Sequence, residues 1–197
     1  MCSDLSGKSA VRRELLDARG LLSPEDVRAA AAVLARQALA LPELAEAATV
    51  AAYVSVGREP GTRALLDALR ARGVRVLLPV LLPDNDLDWA VYEGVEQLVR
   101  AGRGLLEPDG ARLGPDAVLE ADAVLLPGLA VDAQGMRLGR GGGSYDRVLA
   151  RLAAAGADPA LVVLLYADEV VAHVPREPHD HPVHAVVTPD AVRRFGE

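Results

Sequence analysis

The residues best suited to chemistry lie in one segment rich in glycine and arginine. It reads Arg137-Leu138-Gly139-Arg140-Gly141-Gly142-Gly143-Ser144-Tyr145-Asp146-Arg147. Glycine backbones adopt positive φ and approach a ligand closely, so several N–H groups can converge on one anion ahead of a helix. Arginines add bidentate contacts to phosphate, and the Asp146 carboxylate suits a hard divalent cation. The pattern predicts a nucleotide-phosphate loop; the alternative is a flexible loop that Ser144 caps at a helix start.

Two familiar phosphate-binding motifs fit this segment poorly. A P-loop ends in Gly-Lys-Ser or Gly-Lys-Thr, and the segment contains no lysine. The dinucleotide fingerprint has its third glycine where Ser144 stands, and it follows a strand directly, whereas residues 127–135 intervene here. A Ser-His-Asp hydrolase is also disfavoured, because no Gly-x-Ser-x-Gly element joins a strand to a helix.

Two other groups of polar residues lie outside the glycine-rich segment. Lys8 and Arg12 stand four apart on a predicted helix and therefore share one face. Lys8 is the only lysine among 21 basic residues, and its compact ammonium is not equivalent to a guanidinium. The second group has the residue types of a metal site, but its flanking prolines predict a turn and its spacing matches no transition-metal site; it comprises His179, Asp180, His181 and His184.

The composition limits the class of protein. A length of 197 residues suits one domain over 1–197, and 51% hydrophobic with only 3% aromatic residues predicts a core of Ala, Val and Leu. The net charge of −7 argues against general nucleic-acid binding, because no excess of cations exists to displace counterions. The sequence shows no signal-peptide pattern and no run long enough for a membrane span, and its single cysteine, Cys2, suits a reducing compartment. We therefore expect a cytoplasmic monomer without nucleic-acid or membrane partners.

Alternating apolar segments predict the elements that position these residues. The spacing predicts helices over 9–19, from Ser23 to about Ala40, from Gly61 to about Arg72, and over 143–155. It predicts strands over 50–56, 74–78, 123–126, 161–166 and 183–187, with a more exposed strand over 87–92 and a surface loop over 102–115. Alternation of helices with unbroken apolar strands predicts a three-layer α/β/α domain with a largely parallel, Rossmann-like sheet, which binds ligands at the carboxyl ends of its strands.

At this point the sequence resembles the 5-formyltetrahydrofolate cyclo-ligase family, also called 5,10-methenyltetrahydrofolate synthetases. The resemblance is strongest over Leu126-Pro127-Gly128-Leu129-Ala130-Val131-Asp132 and over Gly135 to Asp146. It extends over nearly the whole chain through weaker segments in the family's order, namely Lys8 to Arg12, the Glu59 region, Glu107-Pro108 and Pro175 to Asp180. Ser144 and Gly142 depart from residues common in relatives, which are an aromatic and, in some members, a lysine.

The resemblance implies a reaction that depends on ATP and Mg²⁺. The formyl oxygen on N5 of the folate is phosphorylated, N10 attacks the activated carbon, and loss of phosphate closes the ring. Carried onto this chain, Lys8 and Arg12 would contact ATP phosphates, Asp146 and Asp180 would bind Mg²⁺, and Val54 and Glu59 would contact the folate. The glycine-rich loop would wrap the nucleotide, its residues 140–144 would also reach the formyl group, and Arg140 and Tyr145 would be catalytic; its members are Arg137, Leu138, Gly139, Arg140, Gly141, Gly142, Gly143, Ser144 and Tyr145.

Two other functions stay open from the residues alone. A dinucleotide-binding oxidoreductase would use Gly139 to Ser144 for NAD(P) without a need for Mg²⁺. A nucleotide-sensing or scaffold protein would bind ATP without forming a methenyl product.

Overall fold

The computed structural model describes residues 3–177 and 180–196. The helices are α1 (Ser3–Leu21), α2 (Pro24–Ala38), α3 (Pro42–Ala45), α4 (Arg63–Ala71) and α5 (Ser144–Ala155), with 3-10 turns at Val95–Gln97, Gly102–Gly104, Pro115–Glu120 and Ala167–Glu169. The strands are β1 (Thr49–Ala51), β2 (Arg75–Leu81), β3 (Leu87–Val91), β4 (Leu98–Arg100), β5 (Leu106–Pro108), β6 (Ala123–Leu126), β7 (Ala130–Val131), β8 (Arg137–Leu138), β9 (Ala160–Leu164), β10 (Ala185–Val187) and β11 (Val192–Arg194).

Seven strands form a central sheet in the order β11-β10-β9-β6-β1-β2-β3. The inner strands run parallel, and β3 and β11 pair antiparallel at the two edges. In the register of the central strands, Val50 lies opposite Val76 on one side and Ala123 on the other. The predicted α/β/α fold with a largely parallel, Rossmann-like sheet is confirmed. The hairpins β4–β5 and β7–β8 stand outside this sheet.

Both faces of the sheet are buried, which explains why its strands are apolar without alternation. One face packs against α2 and α4 through residues such as Leu34, Leu65 and Leu69. The other packs against α5 through Val148 and Leu152. Each fully buried leucine contributes roughly 2 kcal/mol of transfer free energy, so many small aliphatic contacts replace the scarce aromatics.

Local sequence signals set the helix ends. Ser23 caps α2: its hydroxyl accepts a hydrogen bond from Asp26 N at 3.1 Å, and the Asp26 carboxylate accepts one from Ser23 N at 3.2 Å. These reciprocal bonds form a capping box, and Pro24 at the first helical position also favours the helix start. Helix α5 begins after Gly143 (φ +77) and ends at Gly156 (φ +67), both in the left-handed region that glycine adopts easily.

The first strand is shorter than predicted, because side chains take over the hydrogen bonds of its backbone. The ladder ends where Ala52 N donates to Leu77 O. Beyond it, Thr62 Oγ1 donates to Tyr53 O at 2.8 Å and accepts from Ser55 N at 2.9 Å. Residues 52–56 therefore leave the sheet, and Tyr53, Val54 and Val56 of this segment line a cavity.

Strand β3 is more exposed than the central strands, as predicted, since Asp88 and Val91 are only partly buried whereas β1 and β6 are buried throughout. Its Leu87 and Trp89 nevertheless belong to the apolar cluster that includes Val118 and Leu149. One other prediction from the sequence is wrong. The stretch 102–115 is not merely a surface loop, because it contains β5, which pairs with β4. Short strands of this kind carry too few residues for periodicity to reveal them. Within the described residues, no helix is both long and apolar enough to cross a membrane.

Candidate active site

A cavity of about 360 Å³ opens at the carboxyl ends of the central strands. Tyr53 and Val54 follow β1, Pro79 and Leu81 lie at the end of β2, and Pro127 follows β6. The rest of the lining comes from the glycine-rich loop, the first turn of α5 and the β4–β5 hairpin. This is the edge at which open α/β sheets bind ligands.

The glycine-rich loop connects β8 to α5, and its glycines serve different purposes. A Cβ added at Gly139 would lie 2.8 Å from Arg137 Nη1, and one at Gly141 (φ +89) would lie 3.2 Å from the Arg12 guanidinium carbon. At Gly142 a Cβ would meet open space. Gly139 and Gly141 therefore let two arginines pack against the loop, while Gly142 leaves room beside the cavity.

Arg137 is a buried cation fixed against the cavity. Its Nη1 donates to Pro127 O at 2.8 Å and its Nη2 lies 3.4 Å from Asp146 Oδ1. Within the described residues its Nε has no hydrogen-bond partner. Burial lowers the pKa of Arg137, and the Asp146 carboxylate counteracts part of this effect. In the described part of the chain, the Nε–H of this side chain is thus a buried donor without a partner beside the cavity.

Arg140 and Glu59 meet across the cavity, although 81 positions separate them in the sequence. Arg140 Nη1 lies 3.2 Å from Glu59 Oε1. Glu59 is buried, and its other oxygen accepts a hydrogen bond from Val56 N at 2.9 Å. The structure therefore brings together the predicted catalytic arginine and the predicted folate-contacting carboxylate. Val54, the other predicted folate contact, lines the same cavity.

Tyr145 contributes a buried hydroxyl in the first turn of α5. Within the described residues this hydroxyl has no hydrogen-bond partner. Burial raises the pKa of Tyr145 well above its ordinary value, so the phenol stays protonated near neutral pH. Ser144 precedes it and also lines the cavity. Ser144 does not cap α5, since Gly143 occupies the cap position without a side-chain hydrogen bond.

Lys8 and Arg12 lie on the same face of α1, as their spacing predicts, but neither lines the cavity. Lys8 Nζ lies 3.1 Å from Glu177 Oε2 and 3.0 Å from Asp180 Oδ2. Burial lowers the pKa of Lys8, but the hydrogen bonds that its ammonium donates to both carboxylates outweigh this, so the pKa lies above its ordinary value. Arg12 Nε donates to Gly139 O at 2.9 Å. Helix α1 thus contacts the outer side of the glycine-rich loop.

The two predicted metal ligands have different partners. Asp146 pairs with Arg137, and Asp180 pairs with Lys8 and accepts from Glu177 N at 2.7 Å. Both carboxylates nevertheless raise the pKa of Arg137, and of the two only Asp146 lines the cavity. In the ranges 3–177 and 180–196, no group of three or more histidine, cysteine, aspartate or glutamate residues is arranged to hold a metal ion.

Among the histidines near the end of the chain, His184 has a structural role. His184 Nδ1 accepts a hydrogen bond from Leu161 N at 3.0 Å, so this ring serves the sheet. His179 and Cys2 lie outside the described residues. Arg147, an arginine of the glycine-rich segment, is 3.4 Å from Asp84 and does not line the cavity.

The sequence did not reveal a buried ion pair behind the site. Arg19 Nε and Nη2 donate to the two oxygens of Glu169 at 2.6 and 2.9 Å, and Nη2 also donates to Gly128 O at 2.7 Å. Tyr166 N donates to Glu169 Oε2, and the guanidinium lies over the Tyr166 ring. Arg19 resembles the other arginines of α1 in the sequence, so only tertiary structure distinguishes it.

Asp132 is a second buried residue whose role the sequence did not assign. Its Oδ1 accepts hydrogen bonds from Gln134 N and Met136 N, and its Oδ2 accepts one from Val174 N at 3.1 Å. It therefore shapes the turn of the β7–β8 hairpin. In the sequence, the only indication that Asp132 matters was its place in the segment Leu126 to Asp132, where the family resemblance is strongest.

The chain is similar to one family of proteins along almost all its length. The model of the 5-formyltetrahydrofolate cyclo-ligase family matches residues 4–189. The 5-formyltetrahydrofolate cyclo-ligase of Mycolicibacterium smegmatis is 42% identical over 187 residues, which cover 92% of this chain and 93% of that protein. That of Escherichia coli K12 is 34% identical over 179 residues, which cover 88% and 96%. The solved structure of Aquifex aeolicus 5,10-methenyltetrahydrofolate synthetase has a TM-score of 0.81 and 29% identity to this chain, covering 96% of this chain and 93% of its own. The residues, the fold and these similarities together place the chain, as an enzyme, in the 5-formyltetrahydrofolate cyclo-ligase family.

Proposed function

We propose that this enzyme converts 5-formyltetrahydrofolate and ATP to 5,10-methenyltetrahydrofolate, ADP and phosphate. The formyl oxygen attacks the terminal phosphorus of ATP and ADP leaves. N10 then forms a bond to the formyl carbon, loses its proton, and the carbon–oxygen bond breaks with departure of phosphate. Phosphorylation turns a poor leaving group into a good one, so the protein mainly positions reactants and stabilises charge.

The contact between Arg140 and Glu59 is the observation that carries this proposal. Glu59 is a buried carboxylate with one oxygen fixed by Val56 N, and such a group suits the paired donors on the amide–amine edge of a pterin. Arrival of the pterin replaces Arg140 at Glu59 and frees the guanidinium. Arg140 then faces the formyl oxygen and the phosphoryl group, where negative charge develops.

The nucleotide side of the site rests on the glycine-rich loop. Its backbone N–H groups precede α5, and a helix N-terminus attracts anions. The unpaired Nε of Arg137 is one further donor beside the loop. Arg12 contacts the loop from α1 through Gly139 O, and we propose that its charge and that of Lys8 support the ATP phosphates from that side.

The buried hydroxyl of Tyr145 is the second group without a partner in the described site. Because the phenol stays protonated, it can donate a hydrogen bond to the formyl oxygen. An unsatisfied buried hydroxyl costs about 1–3 kcal/mol, so a ligand that accepts this bond recovers that free energy.

Asp146 and Asp180 have the donor chemistry that Mg²⁺ requires. Both offer carboxylate oxygens, and both raise the pKa of Arg137. We propose that these two residues hold Mg²⁺, largely through water. When bound, the ion neutralises negative charge on the phosphates.

One assay tests the proposed function. The protein is mixed with Mg·ATP and 5-formyltetrahydrofolate, and the near-ultraviolet absorbance of the methenyl product is followed. We expect absorbance that requires protein, ATP and Mg²⁺ together. Binding of NAD(P) without this signal would indicate a dinucleotide enzyme, and ATP binding without product would indicate a nucleotide sensor.

The cytoplasmic location, the monomeric state and the absence of nucleic-acid or membrane partners stay predictions. Size-exclusion chromatography with light scattering tests the monomer, for which one chain has a mass of 20.6 kDa.

A further inference from the structure

Arg103, which lines the cavity, and its neighbour Asn85 have a backbone conformation that side chains seldom adopt. Asn85 has φ +67 and Arg103 has φ +59, and among the described residues they are the non-glycine positions with positive φ. They also contact one another, since Arg103 Nη1 donates to Asn85 Oδ1 at 3.0 Å. Conformations of this kind cost roughly 1–3 kcal/mol each and concentrate at functional sites.

Arg103 is placed at the cavity by the β4–β5 hairpin. Glu107 of β5 accepts a hydrogen bond from Leu81 N at 3.0 Å, which attaches the hairpin to the end of β2. Arg103 lies in the turn between β4 and β5, is exposed, and lines the cavity. Apolar residues of the same hairpin and of the neighbouring strands line the cavity beside it, namely Leu81, Leu87, Leu105 and Leu106.

Arg103 differs from the other two arginines of the cavity in the groups that it faces. Three arginines line it, and two of them face carboxylates: Arg137 pairs with Asp146 and Arg140 with Glu59. Arg103 forms no ion pair within residues 3–177 and 180–196, and its hydrogen-bond partner is the neutral amide of Asn85. A cation held in a strained turn beside an apolar surface suits a ligand that joins an apolar ring to a carboxylate.

We infer that Arg103 binds the carboxylates of the glutamate tail of 5-formyltetrahydrofolate, while the leucines pack against the benzoyl ring. This inference rests on the proposed function. The pterin end is anchored at Glu59, on the wall that follows β1, and the tail end reaches the wall formed by the β4–β5 hairpin. Arg103 is then a specificity residue that selects folates with an anionic tail, and Asn85 orients its guanidinium.

The test is a cycle that changes the protein and the substrate separately. The substrates are 5-formyltetrahydrofolate and its derivative with both tail carboxylates converted to neutral amides. For the normal substrate, Arg103→Gln is expected to raise KM about fivefold to tenfold with kcat retained, as for loss of a partly solvent-screened charged hydrogen bond. For the diamide, the variant and the wild type are expected to have the same KM.

Arg100→Gln is the matched control, because Arg100 lies on the same hairpin, is exposed and does not line the cavity. It is expected to leave both KM values unchanged. If Arg103→Gln raises both KM values equally, or raises neither while the wild type is active, Arg103 does not bind the tail and the proposed function stands. If the wild type forms no product from either substrate, the proposed function is overturned and the tail assignment falls with it.

Discussion

At the scale of single residues, Arg140 and Glu59 form an ion pair between two walls of the cavity. Glu59 is almost fully buried, and a buried carboxylate requires a compensating charge or several hydrogen bonds. Arg140 supplies that charge before substrate binds, at 3.2 Å. Its own side chain is half exposed, so it can leave Glu59 without a large loss of packing. We propose that this pair holds a recognition group ready and releases a cation when the substrate arrives.

Removal of the Arg140 charge tests this arrangement. Arg140→Ala is expected to lower kcat about 100-fold or more, because loss of one preorganised group that stabilises transition-state charge has effects of this size. Steady-state kinetics with both substrates measures it. Arg28→Ala, an exposed arginine on α2 outside the cavity lining, is the control and should match the wild type. Unchanged kcat in Arg140→Ala would refute the catalytic assignment.

At the scale of elements, the glycine-rich loop must meet two demands at once. It leaves β8 packed against two arginines, and it begins α5 through Gly143 at φ +77. Gly142, one position earlier, has neither a positive φ nor an atom within 4 Å of an added Cβ. The backbone conformation therefore requires glycine at position 143 but not at position 142.

This contrast predicts different effects on stability for two adjacent substitutions. Gly143→Ala should lower the free energy of unfolding by about 1–2 kcal/mol, which is the cost of a side chain in the left-handed region. Gly142→Ala should change it by less than about 0.5 kcal/mol, as at an unconstrained surface position. Urea unfolding of the ligand-free variants measures both. Equal losses would show that α5 does not begin at Gly143 as described.

Helix α1 is held in place by a buried ion pair and by apolar packing. Val11 and Leu15 pack on the β7–β8 hairpin, while Arg19 binds Glu169 and the carbonyl of Gly128. Burial lowers the pKa of Arg19, and the hydrogen bond and charge of Glu169 outweigh this, so the pKa is raised. These contacts orient the helix so that Arg12 faces the glycine-rich loop, while Lys8 pairs with Glu177 and Asp180.

Loss of Arg19 should therefore affect folding far more than loss of an exposed arginine on the same helix. Arg19→Ala is expected to lower the free energy of unfolding by about 3–5 kcal/mol, because it leaves the Glu169 carboxylate buried and unpaired. Arg13→Ala, at an exposed position, should cost less than about 0.5 kcal/mol. Chemical denaturation compares the two. A small effect in Arg19→Ala would mean that this pair does not anchor α1.

At the scale of the whole molecule, the central sheet has an apolar cluster on each of its two faces. The strands contribute alternate side chains to the cluster under α2 and α4 and to the cluster under α5. Trp89, the single tryptophan of the chain, is buried in the second cluster. Its fluorescence reports on one face, whereas far-ultraviolet circular dichroism reports on all helices and strands.

The prediction of a single domain can thus be tested by comparing these two signals. We expect the thermal transitions followed by Trp89 fluorescence and by circular dichroism to coincide, as for a cooperative unit. Addition of Mg·ATP should shift both upward together, because a ligand of the native state stabilises the whole unit. Two separated transitions would show that the chain contains more than one folding unit.

Predictions from the sequence succeeded where one short pattern contains the whole signal. Strand β6 has the predicted bounds, since Ala123–Leu126 is an apolar run between Asp122 and Pro127. The capping signal at Ser23 placed the start of α2 correctly. The β4–β5 hairpin and the true end of β1 were missed, because pairing partners and side-chain hydrogen bonds distant in the sequence define them.

The sequence by itself determined the class of fold, the glycine-rich loop and the residue types that could bind phosphate. It could do so because apolar periodicity and glycine spacing act over a few residues. Tertiary structure alone decided that Arg140 faces Glu59, that Arg147 turns to Asp84, and that Arg19 and Arg103 differ from the other arginines. The chemistry of an arginine depends on its burial and on which carboxylate the chain brings near, and contacts across the fold set both.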